Sequence, residues 1–577
     1  MAEMGDSIME MNGIEKIQSK RGESRRSIFY FTMEVALQSD MPTYSGGLGV
    51  LAGDTLKSAA DLGIPMAGIT MLWRNGYFKQ EIDDEGWQKE ENAIWDYRNK
   101  LKKLPNYARV KIGGESVRIE VWEYQIVGRT GYTVPVYFLD TNLPENPKSA
   151  RDLNQYLYGG DEYTRLCQEV VLGIGGIRIL RDIGFNNGQV YHLNEGHASL
   201  LALELIRERG YNSYDKIKKN CVFTTHTPVA AGHDEFPYDL LKKVLHPIYL
   251  EHLEGIIGHG HSLNLTRLSH KLSRYVNGVS KMHGKVAREM LGDPDIGAIT
   301  NGIHLQTWIH PAFQALYDET LPGWQFEPSN FVHAMKIDDK QVTEAHAKAK
   351  SELLDYVNQT YKTELKQDVL TIGFARRAAT YKRADLLFSD IDRLLELGAG
   401  KLQFIYAGKA HPKDKAGKEL IHRVVQGAKR VGKEIPVVYL EEYNMDIGAM
   451  LTGGCDVWLN NPRRPREASG TSGMKAAANG VLNFSILDGW WIEGYLEGKT
   501  GWAIGPSADL ADMEDYDDSK DAVDLYDKLE NQVIPTFYEN REKWVEMMKT
   551  SIALVTPYFN THRMLREYTE YGYNLNL

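Results

Sequence analysis

The chain has 577 residues, 42% of them hydrophobic and 25% charged, and a formal net charge of −11. That composition belongs to an ordinary globular protein and excludes disordered and fibrous classes. The acidic balance argues against a general nucleic-acid or membrane-surface binder, while leaving room for a small basic pocket.

In chain order, residues 1–25 are polar and charged, with no apolar stretch of signal-peptide type. No later run has the length of a transmembrane helix, so the cytoplasm is the expected compartment. Short apolar runs then alternate with helix-like stretches. SIFYF (27–31), GIPMAGITML (63–72), VPVYFLD (134–140), VYHLN (190–194) and VFTTH (222–226) read as strands of a first half. VLTIGFA (369–375), LQFIYAG (402–408), IPVVYLEE (435–442), DVWLN (456–460) and VLNFSIL (481–487) repeat the pattern. Between these, 381–397 and 416–430 carry apolar residues at helical spacing. The alternation predicts an α/β protein of two doubly wound, Rossmann-like domains facing a central cleft, with ligands at the carboxyl ends of the strands. The composition shifts over 301–365. The expected domains are therefore 1–300, a junction 301–365, a second domain 366–555, and a C-terminal helix 556–577 that returns to the first. Cys167, Cys221 and Cys455 are isolated, with no disulfide framework and no metal-ligand spacing, and no metal is expected.

Several polar loops follow the strands. SGGLGVLAGD (45–54) opens a helix, so Gly46, Gly47 and Leu48 are candidates to aim N–H groups at an anion. HLNEGHASL (192–200) and TTHTPVAAGHDEFP (224–237) end strands with histidine or acid. ARRAATYKR (375–383) sets Arg376, Arg377, Lys382 and Arg383 at a strand's end, where phosphate would sit. EASGTSGMKAAANG (467–480) places Lys475 just inside a short helix, with Gly470 and Gly473 allowing a tight loop and Thr471 or Ser472 as cap. A nucleotide-binding P-loop fails on spacing, because its glycines need four residues between them and then Gly-Lys-Ser/Thr. A phosphate-ready loop beside an amine leaves a pyridoxal phosphate anchor, or an ordinary turn with a surface lysine.

Taken together, EASGTSGMK, ARRAATYKR, TTHTP, HLNEGH, SGGLG and TNGIH (300–304) resemble the α-glucan phosphorylases of the compact bacterial and archaeal type, from about residue 25 to the C-terminus. The resemblance implies the glycosyltransferase architecture of type GT-B. It also implies reversible, retaining phosphorolysis of the non-reducing-end glucose of an α-1,4-glucan, giving α-D-glucose 1-phosphate. Its partners would be the glucan, inorganic phosphate and the sugar phosphate, with a homodimer as the assembly.

By that resemblance Lys475 holds pyridoxal 5'-phosphate, with Gly470, Thr471, Arg376 and Tyr443 around the cofactor. Arg376 stands at a position that is commonly lysine. Arg377, Lys382 and the Gly47 amide bind inorganic phosphate, and the carbonyl of His226 steadies the cationic sugar. Glu467, Ser469 and Gly470 meet the 2-, 3- and 4-hydroxyls, Asn301 and the His226 side chain meet the 6-hydroxyl, and Tyr381 lies near the 2-hydroxyl. Glu195 stands where larger members have aspartate.

The nearest rival is a nucleotide-sugar glucosyltransferase of the glycogen or starch synthase type, which has no need of an amine at Lys475. A hydrolase would need a carboxylate pair across the bond, and none suggests itself. A catalytically dead glucan binder would have little reason to keep Lys475, Arg377 and Lys382.

Overall fold

The computed structural model describes residues 28–186, 190–210, 214–229, 232–257, 261–506 and 517–574. The polar segment 1–25 and the last three residues of the expected C-terminal helix lie outside them.

Two sheets organise the molecule. The first has nine strands, in the order Gly297–Ala298, Tyr275–Gly278, Cys221–Thr224, Val190–Asn194, Ile28–Phe31, Met66–Met71, Thr133–Asp140, Glu115–Val127 and Lys102–Ile112. Seven of these run parallel and the last two join antiparallel. The second sheet is wholly parallel, in the order Val437–Leu440, Leu402–Ala407, Leu370–Ala375, Val457–Asn460, Leu482–Ile486 and Gly501–Ile504. Helices cover both, so strands such as Ile28–Phe31, Met66–Met71 and Leu402–Ala407 are buried at every residue. Burial on both faces is why they read as unbroken apolar runs rather than alternating ones.

The long antiparallel pair Lys102–Ile112 and Glu115–Val127 was not expected. It alternates exposed and buried residues, and lysines and glutamates on its outer face mask the apolar pattern. The helical reading of 381–397 also needs correction. The segment breaks into short 3-10 turns at Thr380–Lys382 and Leu386–Phe388 and a helix at Ile391–Gly398. Asp390 starts that helix anew by accepting from the Arg393 N–H at 3.0 Å.

Residues 301–365 form helices whose Trp308, Phe313, Tyr317, Trp324, Phe331 and Val342 share one core with Leu370, Phe404 and Trp544 of the second half. Near the C-terminus the chain comes back to the first sheet. Met564, Leu565, Tyr568 and Tyr573 pack with Ile28, Tyr30 and Met66. Tyr573 Oη lies 2.8 Å from His192 Nδ1, and Asn277 donates to Tyr568 Oη at 3.1 Å. A hairpin, Lys79–Ile82 with Gln88–Glu91, reaches from the first half to the second. There Gln88 exchanges two 2.9 Å hydrogen bonds with the backbone of Ala410, Gln80 donates to the Gly408 carbonyl at 2.8 Å, and Trp87 stacks on His422.

In each sheet the strand order reverses beside the first strand of that half, at Ile28–Phe31 and at Leu370–Ala375. Ligands of open α/β sheets bind outside the carboxyl ends at such points.

Candidate active site

From the switch point of the second sheet, the segment after Ala375 supplies Arg376, Arg377 and Lys382, and the segment after Asn460 supplies Glu467 and Lys475. Glu467 is the hub. Its Oε2 accepts from Arg376 Nη2 at 2.5 Å and from the Lys382 amine, and all three side chains are about nine-tenths buried. Burial alone would raise the Glu467 carboxyl, but Arg376 and then Lys382 hold it at about 2. Lys382 is pushed down to about 7, first by burial and then by Arg376. The carboxylate is thus firmly ionised, while the lysine gives up its proton easily. Lys382 also lies over the Tyr381 ring, 4.5 Å from its centre. Arg377 is exposed beside this cluster. Arg383 turns away, binding Asp521 at 2.7 Å and Asp518 at 2.9 Å, so the basic run divides between site and scaffold.

Asp488, which sequence reasoning missed, supports the hub from behind. It accepts from the Glu467 N–H at 2.9 Å and the Gly489 N–H at 2.8 Å. Burial, reinforced by the Glu467 charge, pushes it up to about 7. The acidic turn Leu487-Asp488-Gly489 at a strand's end was the available signal.

Lys475 sits on the helix Ser472–Ala478, which is only seven residues long. Its amine lies 3.4 Å from the centre of the Trp308 ring, and burial lowers it to about 8 against the opposing pull of Asp54. Asp54 is fixed by Trp308 Nε1 at 2.7 Å and the His304 N–H at 3.2 Å. The expected hydroxyl cap is absent. Thr471 is at the cap position without a side-chain bond, and Ser472 Oγ instead accepts from Trp458 Nε1 at 3.0 Å. Gly470, at φ +74°, carries the loop past Arg376. Arg376 Nη1 is buried without a hydrogen-bond partner, a donor turned toward something the polypeptide does not supply. Burial pushes the nearby Tyr443 hydroxyl up to about 12.

The first half faces this cluster. Helix α1 (Gly47–Asp61) begins at the SGGLG loop, and Tyr44 Oη accepts from the Met445 N–H at 3.0 Å across the cleft. Buried Glu34 organises the loop, accepting from the Ser45 N–H at 2.6 Å, the Gly46 N–H at 3.2 Å and Tyr158 Oη at 2.8 Å. The Gly46 amide is therefore committed inside the protein, contrary to its expected aim at an anion. Gly47 and Leu48 are in the first helical turn, where no carbonyl four residues back lies within the helix, and Gly47 is exposed.

Glu195 adopts φ +72° and accepts from the Gly196 N–H at 3.0 Å, the His226 N–H at 2.8 Å and Thr227 Oγ1 at 3.0 Å. It joins the HLNEGH and TTHTP loops; Ala230 and Ala231 of the latter stretch lie outside the described residues. His226 Nε2 lies 2.7 Å from Asn194 Oδ1, whose amide nitrogen donates to Thr32 Oγ1 at 3.0 Å. Burial lowers His226 to about 3, so the ring is neutral. With Nε2–H given to Asn194, Nδ1 is the acceptor. Asn301 is 6% exposed and its Oδ1 has no hydrogen-bond partner. Ser469 is buried, with its hydroxyl 3.1 Å from the Gly470 carbonyl. The Ala468 carbonyl next to it accepts from Ser280 Oγ of the first half at 2.6 Å. The cleft thus combines cations that suit a dianion with unmatched polar groups that suit hydroxyls.

Among the described residues, no helix is long and apolar enough to cross a membrane. A family model described as carbohydrate phosphorylase matches residues 32–138 and 250–497. Maltodextrin phosphorylase of Thermococcus litoralis is 40% identical over 95% of this chain and 70% of its own length. Glycogen phosphorylase of Mycobacterium tuberculosis is 37% identical over 95% of the chain and 70% of its own length. That of Aquifex aeolicus is 35% identical over 95% and 86% respectively. The matched residues run through the SGGLG, TNGIH, ARRAATYKR and EASGTSGMK segments, and the chain belongs to the carbohydrate phosphorylase family.

Proposed function

We propose that the protein is an α-1,4-glucan phosphorylase, transferring the non-reducing-end glucose of an α-1,4-glucan to inorganic phosphate with retention. The observation that carries this reading is the pair of buried cations Arg376 and Lys382 on Glu467, with exposed Arg377 beside them and the buried amine of Lys475 on the same switch-point loop. Cations in such excess suit phosphate groups, and a hydrolase would have no use for them.

The residues fit pyridoxal 5'-phosphate. Lys475 offers a buried amine of lowered basicity, and Arg376 offers an unpaired buried donor past Gly470 and Thr471, with Tyr443 nearby. When bound there, the cofactor supplies a phosphate group that exchanges a proton with the substrate phosphate. Arg377, Lys382 and the Gly47 amide hold inorganic phosphate, with Leu48 beside it, and neutralise its charge in a water-poor cleft. The phosphate gives its proton to the glycosidic oxygen as the bond breaks. One of its oxygens then bonds to the anomeric carbon on the face the chain leaves.

The His226 carbonyl faces the developing positive charge, and His226 Nδ1 accepts from the 6-hydroxyl. Asn301 Oδ1 accepts there too, while Glu467, Ser469, Gly470 and Tyr381 serve the 2-, 3- and 4-hydroxyls. Glu195 holds the His226 loop in position. The contacts of the C-terminal residues with the first sheet support a returning segment after 555, and the shared core of 301–365 with the second half joins that junction to the domain 366–555 rather than to 1–300. A cytoplasmic setting supplies all of these substrates.

The test is incubation with maltodextrin and phosphate. We expect α-D-glucose 1-phosphate. Free glucose, or turnover only with a nucleotide-sugar donor, would overturn the reading.

A further inference from the structure

Behind Asp54 of the Lys475 pocket, three buried side chains from distant parts of the chain converge. Asp61 is the last residue of helix α1, His304 closes the TNGIH segment, and His562 lies in helix α2 (Thr561–Glu567). One ligand atom from each lies within 4.8 Å of the others. His304 Nε2 is 2.8 Å, and His562 Nε2 3.6 Å, from Asp61 Oδ2. His562 is 4% exposed, and neither of its ring nitrogens has a hydrogen-bond partner. Asp61 Oδ1 accepts from the Arg129 N–H at 2.9 Å, and the ion pairs of this carboxylate are with the two histidines alone among the described residues. A buried carboxylate with no lysine or arginine ion pair, beside a buried imidazole that reaches it only at 3.6 Å and makes no hydrogen bond, is a set short of one cation.

We propose that Asp61, His304 and His562 bind one divalent transition-metal ion of the zinc type. Two imidazoles and a carboxylate suit zinc or cobalt better than calcium or magnesium, which take oxygen ligands. Ligands of one tetrahedral zinc stand about 3.3–3.5 Å apart. The 3.6 Å pair already fits, and the 2.8 Å pair opens by about half an ångström once the ion replaces the shared proton. His304 Nδ1 lies 2.7 Å from Thr307 Oγ1. Placing the ring proton on Nδ1, donated to Thr307, frees the Nε2 lone pair for the metal without loss of a proton. Water completes the coordination.

The site is structural, since its side chains bond to one another, Arg129 and Thr307, and it reaches the Lys475 pocket only through the His304 N–H on Asp54. It ties together helix α1, the loop carrying Asn301 and the returning C-terminal helix. Nothing in it depends on the glucan phosphorylase reading.

The test uses the full chain, treated with chelator, desalted, and offered zinc or cobalt alone. Wild type should retain one zinc per chain, give cobalt absorption bands of a histidine-ligated tetrahedral or five-coordinate ion, and unfold at higher temperature with zinc. His562→Phe keeps the bulk of the ring, and Asp61→Asn keeps the bond to Arg129. Each should bind zinc about tenfold or more weakly, and neither should gain thermal stability from it. Zinc retention by His562→Phe equal to wild type would overturn the assignment. So would wild type that keeps no zinc and gives no cobalt bands, a result that does not depend on the variants folding.

Discussion

Replacing Glu467 by Gln removes the one carboxylate shared by Arg376 and Lys382 and keeps the shape of the side chain. At an effective dielectric near 20, each ion contact is worth about 4 kcal/mol before desolvation. Breaking a buried pair by deleting one partner costs about 3–5 kcal/mol. Part of that cost can be escaped. Lys382 is already lowered to about 7, and without Glu467 it drops further, so above neutrality it becomes neutral and only Arg376 is left uncompensated. The loss should therefore be about 3–5 kcal/mol near pH 6 and roughly half of that near pH 8.

The sign follows from proton counting. A lysine depressed in the folded state binds fewer protons than in the unfolded chain, so its contribution to stability rises with pH from about 7 toward the ordinary lysine range. Inorganic phosphate should raise the unfolding midpoint of Glu467→Gln more than that of wild type, because the anion replaces the missing charge. Unfolding followed by tryptophan fluorescence, at two pH values with and without phosphate, measures both effects. Equal phosphate stabilisation in the two proteins, with a loss that ignores pH, would mean that the cation cluster does not face the phosphate site.

Three further outcomes are expected. Arg377→Ala should raise the phosphate requirement ten- to a hundredfold or more, about 1.5–3 kcal/mol for a charge-assisted bond, while glucan binding without phosphate stays unchanged; Arg377→Lys should recover only part. Separate titrations of phosphate and maltodextrin decide this, and an unaltered phosphate dependence would place Arg377 on a solvated face. His226→Ala should slow glucan turnover more than turnover of chains ending in xylose, which lacks the 6-hydroxyl; an equal loss for both donors would remove that contact. Borohydride reduction of cofactor-loaded protein, followed by peptide mapping, should label Lys475, and a label on any other lysine would refute its role as anchor.

Much of this was legible in the sequence, for physical reasons that also explain the gaps. All ten expected strands are present to within three residues of the expected ends, because two-sided burial writes them as apolar runs bounded by loops. Arg376, Lys382 and Glu467 meet at the end of the strands where the order reverses, as switch-point topology favours. What failed depends on partners remote in the chain. That the Gly46 amide belongs to Glu34, that Arg383 serves Asp521, and that Asp488 backs Glu467 are tertiary choices invisible to local pattern. Asp61, His304 and His562 show the same limit, since ligands so far apart leave no spacing to read.

The return of the C-terminal residues to the first sheet has a consequence for synthesis. Tyr568 and Tyr573 cover Tyr30 and His192, so the first half leaves the ribosome with that face open. At about 5–20 residues per second, translating from residue 300 to residue 573 takes roughly 15–55 s. During that interval Ile28, Tyr30 and Met66 lack part of their cover, which leaves apolar surface open on the nascent chain. Emergence of residues 564–573, rather than completion of the first half, sets the moment at which that half can close.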